Sequence, residues 1–253
     1  MLLSQKELGQ AAPLFAGWEE TMIWSCLEGA MGRVFAAGRP VCSAAARIAD
    51  FCFLAGRPDA ALLREAAGRA ALLVPRDEAW AGLIEREWGA GVRRFERYAT
   101  RKEPRAFDRP RLRGFAGQLP PGCRILPIGE ALYRRLAGAD WSRDFCGQFP
   151  DWPAYQRRGL GFAALCEGKP VSGASSYTVW SGGIEIEVDT APGFRRRGLA
   201  RACAARLILE CLDRGLYPSW DAHDARSLAL AESLGYRSAG PYPAYERVGP
   251  AGE

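Results

Sequence analysis

Arg195-Arg196-Arg197-Gly198-Leu199-Ala200 has the residue types and spacing to hold an anion. It follows a strand-like segment, Ile184 to Asp189, and opens an apolar-periodic segment from Leu199 to Leu212. The first backbone N–H groups of a helix have no partner inside it and point out of its N-terminus, where the helix dipole also favours negative charge. Gly198 lets a ligand come close to the backbone, and the arginines add charge-assisted donors. The strand before the turn alternates, with Ile184, Ile186 and Val188 on one face and Glu185, Glu187 and Asp189 on the other. Such a face is most often solvated, but beside an anion site it can also line a wet cleft.

Positioning these groups requires a sheet with helices. Arg124 to Ile128 reads as a short strand, and Gly129 to Ala137 and Asp140 to Phe149 as short helices. Gly161 to Cys166 and Val171 to Trp180 are strands joined through Glu167-Gly168-Lys169-Pro170, a hairpin-like connection. After the arginine turn, Leu199, Cys203, Leu207 and Leu212 form the apolar stripe of a helix. Tyr217 to Ala222 is a strand, and Asp224 to Leu234 a helix with Asp224 as N-cap and Gly235 as its stop. Tyr236 to Arg247 supplies the last strand or two, so this half has a mixed sheet flanked by helices.

The first half is harder to read. Glu28 to Val34 and Ala46 to Leu54 look extended, Ala60 to Ala67 helical, Ala70 to Val74 extended, Asp77 to Trp88 helical and Val92 to Tyr98 extended. A strand running into an acid, a helix, a glycine and an aromatic-rich strand occurs in both halves, which suggests a degenerate second copy of one fold. The first copy has no counterpart of the basic turn, since Leu54-Ala55-Gly56-Arg57-Pro58 differs too much. Leu119-Pro120-Pro121-Gly122 is the natural break. The expected architecture is therefore α+β, with a first domain over residues 1–118 and a second over 123–253.

Composition sets the function classes. Hydrophobic residues are 48% and charged residues 25%, those of an ordinary globular protein, and the net charge is +5 from 34 Lys and Arg against 29 Asp and Glu. That mild excess suits an anionic small ligand and is weak for a nucleic-acid binder, as is the lack of aromatic residues interleaved with the arginines. The eight tryptophans read as core or cleft walls. Eight cysteines without a Cys-x-x-Cys pair, and one histidine, His223, argue against a metal site. No apolar leader follows Met1-Leu2-Leu3 and no membrane span is visible, so the expectation is reduced, mostly buried thiols in a cytoplasmic protein.

With its context, Arg195-x-x-Gly198-x-Ala200 resembles the acyl-CoA pyrophosphate loop of the GNAT N-acetyltransferase superfamily, Arg/Gln-x-x-Gly-x-Gly/Ala. Pro192 sits three residues before the first arginine, as is frequent there. Trp220-Asp221-Ala222-His223-Asp224-Ala225-Arg226-Ser227 resembles the next strand and the Asn-x-x-Ser/Ala helix start, and Leu234-Gly235-Tyr236 the usual helix ending. The likeness covers roughly residues 123–248 and is strongest to a bacterial subgroup with an extra N-terminal domain.

The resemblance implies acetyl-CoA as cofactor. Its pyrophosphate would sit on Arg195, Arg196, Arg197, Gly198, Leu199 and Ala200, and its pantetheine amides on the main chain about Val188, Asp189 and Thr190. A backbone N–H near Val188 would serve the oxyanion. Asp224 and Ser227 fall at family cofactor positions, although an acid there would repel phosphates and Asp224 reads as a helix cap. Amine deprotonation asks for a carboxylate, with Glu187 and Glu185 as candidates. The family's usual tyrosine acid falls on Ala231, which leaves Tyr242, Tyr245, Ser227 or water. A nucleophilic cysteine is a competing mechanism, but Cys203 and Cys211 read as core. The implied reaction is acetyl transfer to a small-molecule amine, less readily a peptide, by direct attack. The alternative is a non-catalytic regulator that binds CoA or a partner. The first domain would wall the acceptor cleft or make a homodimer.

Overall fold

The computed structural model describes residues 1–68 and 70–248. Two compact units divide it: Met1–Ala99 joined by the chain from Gly240 onward, and Thr100–Ala239.

In the first unit, α1 (Thr21–Glu28) is capped by the Glu20 carboxylate, which accepts from the Met22 N–H, and is stopped by Gly29 at φ +70°. The antiparallel meander β1 (Arg33–Ala37), β2 (Ser43–Ile48) and β3 (Phe51–Gly56) follows. Helix α2 (Ala60–Ala67) then crosses to β4 (Leu72–Pro75), which lies parallel to β3. Helix α3 (Glu78–Trp88) leads to β5 (Val92–Thr100). The core gathers Leu54, Leu63, Leu73, Trp80 and Ile84, and the indole N–H of Trp80 donates to the Gly56 carbonyl at 2.8 Å.

The second unit begins with α4 (Arg109–Gly117), β6 (Cys123–Pro127), α5 (Glu130–Ala137) and α6 (Trp152–Arg158). Its meander continues through β7 (Gly161–Cys166), β8 (Lys169–Trp180) and β9 (Gly183–Thr190). Helix α7 (Leu199–Asp213) crosses to β10 (Tyr217–Ser219), parallel to β9, giving the sheet order β10-β9-β8-β7-β6. A short β11 (Asp221–Ala222) and α8 (Ala225–Leu234) follow. The last strand, β12 (Ser238–Arg247), enters the first sheet between β4 and β5, with Tyr245 opposite Leu73.

The two units share one plan: an antiparallel meander, a helical crossover and a parallel strand. The strand–acid–helix–glycine–strand order seen in the sequence recurs with it, as β4–Asp77–α3–Gly89–β5 and as β10–Asp224–α8–Gly235–β12.

Several expectations are corrected. The boundary does not fall at residues 119–122. That break is a turn inside the second unit, because α4 before it packs on α7: Arg201 stacks over Phe115 at 4.4 Å and Arg109 pairs with Asp213 at 2.5 Å. The end of the chain belongs to the first unit because β12 pairs with β4 there. The segment 28–34 is the end of α1 and the turn into β1, and 46–54 is the β2–β3 hairpin about Asp50. Only a 3-10 turn, Arg143–Phe145, forms within 140–149, and its Phe145 sits on Gly173, where a Cβ would meet the ring at 2.7 Å. Trp220 splits the expected strand 217–222. The thiols are not all reduced: Cys123 and Cys166 stand directly opposite across β6 and β7 and form a disulfide. Cys26, Cys52, Cys146, Cys203 and Cys211 are buried free thiols.

Candidate functional site

The site begins where two strands part. Strand β10 pairs with β9 at Gly183, Ile184 and Glu185, and ends at Ser219, opposite Glu185. Strand β9 runs on to Thr190 with no β10 partner beyond that point, so one edge of 186–190 is open. A bulge in β8 between Ser176 and Thr178 lies directly beside the parting, and a bulge bends and twists its strand. An open strand edge offers main-chain N–H and C=O groups to an extended ligand, the way an added strand would bind.

Beyond β9 the turn 191–198 leads into α7, which packs on β8 and β9. Its N-cap is Gly198 in the left-handed region, φ +79°, with no side-chain cap. A Cβ built there meets nothing within 4 Å, so the space around it is open. Among the described residues, six of the eight α-helices open on a carboxylate that accepts from their own first turn: Glu20, Asp59, Asp77, Asp108, Asp151 and Asp224. At α7 a carboxylate would add negative charge at the helix N-terminus, and glycine leaves the amides open. The matching helix of the first unit, α2, has its N-terminus filled by Asp59, which accepts from Leu62 N–H at 2.8 Å. The helix N-terminus is therefore uncapped in one copy of the plan and filled by a carboxylate in the other.

The arginines divide their work. Arg195 Nε donates to the Thr190 carbonyl at 3.0 Å and its Nη2 lies 3.6 Å from Asp189, which ties the turn to the end of β9. Asp189 also accepts from the Thr190 N–H at 2.6 Å. Arg197 donates to the Gly193 carbonyl and lies over Phe194. Arg196 takes φ +63° at the tip, and both it and Arg197 are exposed.

The acid face lies away from α7. Glu185, Glu187 and Asp189 stand opposite Thr178, Ser175 and Gly173 of β8. Phe145 packs on Gly173, and the Tyr155 hydroxyl and Ser175 hydroxyl are hydrogen-bonded at 2.8 Å. Glu187 is half-buried and lies past the parting, whereas Glu185 is 3% exposed and lies inside the paired part.

The remaining expected residues have structural work. Asp224 caps α8 through the Ser227 N–H at 2.8 Å and pairs with Arg226, and these contacts hold its carboxyl below the usual range. The Ser227 hydroxyl accepts from the Trp220 indole at 3.1 Å. Ala231 is fully buried. Tyr242 accepts from Arg97 and Tyr245 donates to Glu85, both within the first unit. Burial pushes the thiols of Cys203 and Cys211 up to about 12, which leaves little thiolate for nucleophilic attack at neutral pH. Residues not anticipated are Ser175 and Tyr155, on the face of Glu187, and Arg111 and Phe115 of α4. The signals existed: Asp151 and Asp108 are caps with Pro153 and Pro110 in the first turn, a helix-start pattern.

No helix among the described residues is long and apolar enough to cross a membrane. The family model described as GNAT acetyltransferase matches residues 12–245, so it spans both units. The chain is 46% identical to the GCN5-related N-acetyltransferase-like protein from Streptococcus suis 89/1591, with a TM-score of 0.92 over 96% of this chain and 99% of that one. The GCN5-related N-acetyltransferase from Sphaerobacter thermophilus shares the fold at 14% identity, with a TM-score of 0.58 over 98% of this chain and 95% of that one. The uncharacterised N-acetyltransferase YdfB of Bacillus subtilis (strain 168) is 25% identical over 175 residues, 68% of this chain. The match spans 64% of that relative's length. With its parted strands, its uncapped helix and a family model matching across both units, the chain belongs to the GNAT acetyltransferase family.

Proposed function

We propose that the protein is an acetyl-CoA-dependent N-acetyltransferase acting on a small-molecule amine, with its site in the second unit. The observation that carries this reading is the uncapped N-terminus of α7, whose preceding turn is tied by Arg195 to the end of β9, where the 186–190 edge is open. The residues fit the group: the amides of Leu199 and Ala200, with Arg196 and Arg197, would hold a pyrophosphate, and the 186–190 edge would hold the pantetheine amides. Acetyl-CoA supplies an activated acetyl thioester.

The chain's own residues do the rest. Glu187, half-buried past the parting, accepts the proton of the amine, and Glu185 and Asp189 beside it draw a cationic acceptor. The main-chain N–H near Val188 stabilises the charge that develops on the carbonyl oxygen. Direct attack accords with the raised Cys203 and Cys211 thiols. Of the candidates for protonating the departing thiolate, water takes the role. Use of an acyl-CoA donor supports a cytoplasmic location. The lack of a tyrosine at Ala231 favours a second reading, a regulator that binds CoA without turnover.

Thermal unfolding with and without acetyl-CoA tests the site, because a ligand of the native state raises the midpoint. Thiol release across an amine panel then separates the two readings. A rise in midpoint with release on an amine supports the enzyme, a rise without release on any amine supports the regulator, and no rise at saturating acetyl-CoA refutes both.

A further inference from the structure

The charges along α7 are unevenly matched. Toward its C-terminal end arginines meet acids: Arg206 and Arg214 pair with Glu210 at 2.8 and 2.9 Å, and Arg109 of α4 pairs with Asp213 at 2.5 Å. At its N-terminal end this pattern stops. Arg201 and, on α4, Arg111 lie over the ring of Phe115 at 4.4 and 5.4 Å, and among the described residues no carboxylate pairs with either. The contacts Arg109–Asp213 and Phe115–Arg201 run α4 antiparallel to α7, so the end of α4 is at the start of α7. Arg201 is the third residue of α7, about 3 Å of helix rise from its first. Side chains on a helix lean toward its N-terminus, so this guanidinium is carried toward the opening at Gly198.

These two guanidiniums are surplus to the pyrophosphate, which the α7 amides with Arg196 and Arg197 already serve. Cation–π contact with Phe115 fixes them without neutralising them, which suits a second anion. Resting on the acyl-CoA reading, we propose that Arg111 and Arg201, held by Phe115, form a subsite for the 3′-phosphate of the donor's nucleotide, a phosphate monoester one ribose away from the pyrophosphate. Helix α4 would then be part of the donor site, and the protein would discriminate CoA from donors that lack the 3′-phosphate.

Calorimetric titration of the full-length protein with CoA and with 3′-dephospho-CoA tests this, in wild type, Arg111→Gln, Arg201→Gln and the control Arg214→Gln at the far end of α7. One charge-assisted bond to phosphate corresponds to about tenfold to a hundredfold in Kd. Wild type and control should bind CoA tighter than dephospho-CoA by that factor. Each variant should lose affinity for CoA and keep its affinity for dephospho-CoA. Competition by adenosine 3′,5′-bisphosphate against adenosine 5′-monophosphate gives the same comparison in wild type without any substitution. Equal binding of the two ligands by wild type overturns the subsite and leaves the acyl-CoA reading standing. Equal loss for both ligands in the variants, or an unchanged ratio, does the same. Binding of neither ligand by wild type overturns both.

Discussion

Replacing Gly198 by alanine and by aspartate separates the two things this glycine does. Its φ of +79° costs an L-residue about 1–2 kcal/mol, so both variants should be less stable by that amount. For a chain of this size each kcal/mol lowers Tm by about 2–4 °C. A built Cβ has open space around it, so alanine should leave CoA affinity nearly intact. Aspartate adds a negative charge at the pyrophosphate. Two unit charges 4 Å apart repel by about 4 kcal/mol at an effective dielectric of 20, and halving this for the exposure of the turn leaves about 2 kcal/mol. That is roughly thirtyfold in Kd beyond alanine. Calorimetry of CoA binding against both variants reads the difference directly. Should aspartate bind CoA within about threefold of alanine, the pyrophosphate does not lie at this helix end and the electrostatic argument fails.

Glu187→Gln should lower kcat/KM at neutral pH by about a hundredfold to ten-thousandfold and abolish the rise of rate with pH, while Glu185→Gln keeps that rise; retention of the full profile by the Glu187 variant would assign the base elsewhere. Asp224→Ala should cost about 1 kcal/mol in urea unfolding without changing CoA affinity, since its carboxylate serves as a cap. The Ser227 N–H, and then Arg226, hold that carboxyl below its ordinary value of 3.8, so its contribution is complete above that pH and is lost as pH falls through the lower folded-state value. The variant should lack this loss, and equal acid sensitivity in both proteins would contradict the cap's role. Alkylation of the denatured, unreduced protein should label six cysteines, and eight after reduction; eight without reduction would disprove the Cys123–Cys166 bond.

Elements whose signals are local were legible. Helix α2 lies at Ala60–Ala67 and α7 opens at Leu199, both as the apolar period and the turn before them indicate. Proline was harder, because the same residue breaks a helix interior and begins a helix at its first turn. Pro110 and Pro153 do the second, which is why α4 and α6 went unrecognised and Phe115 and Tyr155 with them. The acid face could be read from alternation alone, but not which acid stands past the parting, since that depends on where β10 ends.

The turn before α7 is written locally in the sequence: a strand, three arginines, a glycine with no Cβ, and a helix whose amides must open outward, all within a few residues. The sequence also indicated that the first copy has no counterpart of this turn, since Leu54-Ala55-Gly56-Arg57-Pro58 differs; the structure added that Asp59 caps α2 where the second unit has Gly198. Tertiary structure decided what pairs across long separations. It placed β12 between β4 and β5, set Cys123 opposite Cys166, and laid α4 along α7 so that Arg111 and Arg201 meet at Phe115. Strand register and helix packing depend on partners tens to hundreds of residues away. Local periodicity carries the face a residue occupies, but not the neighbour that face will meet.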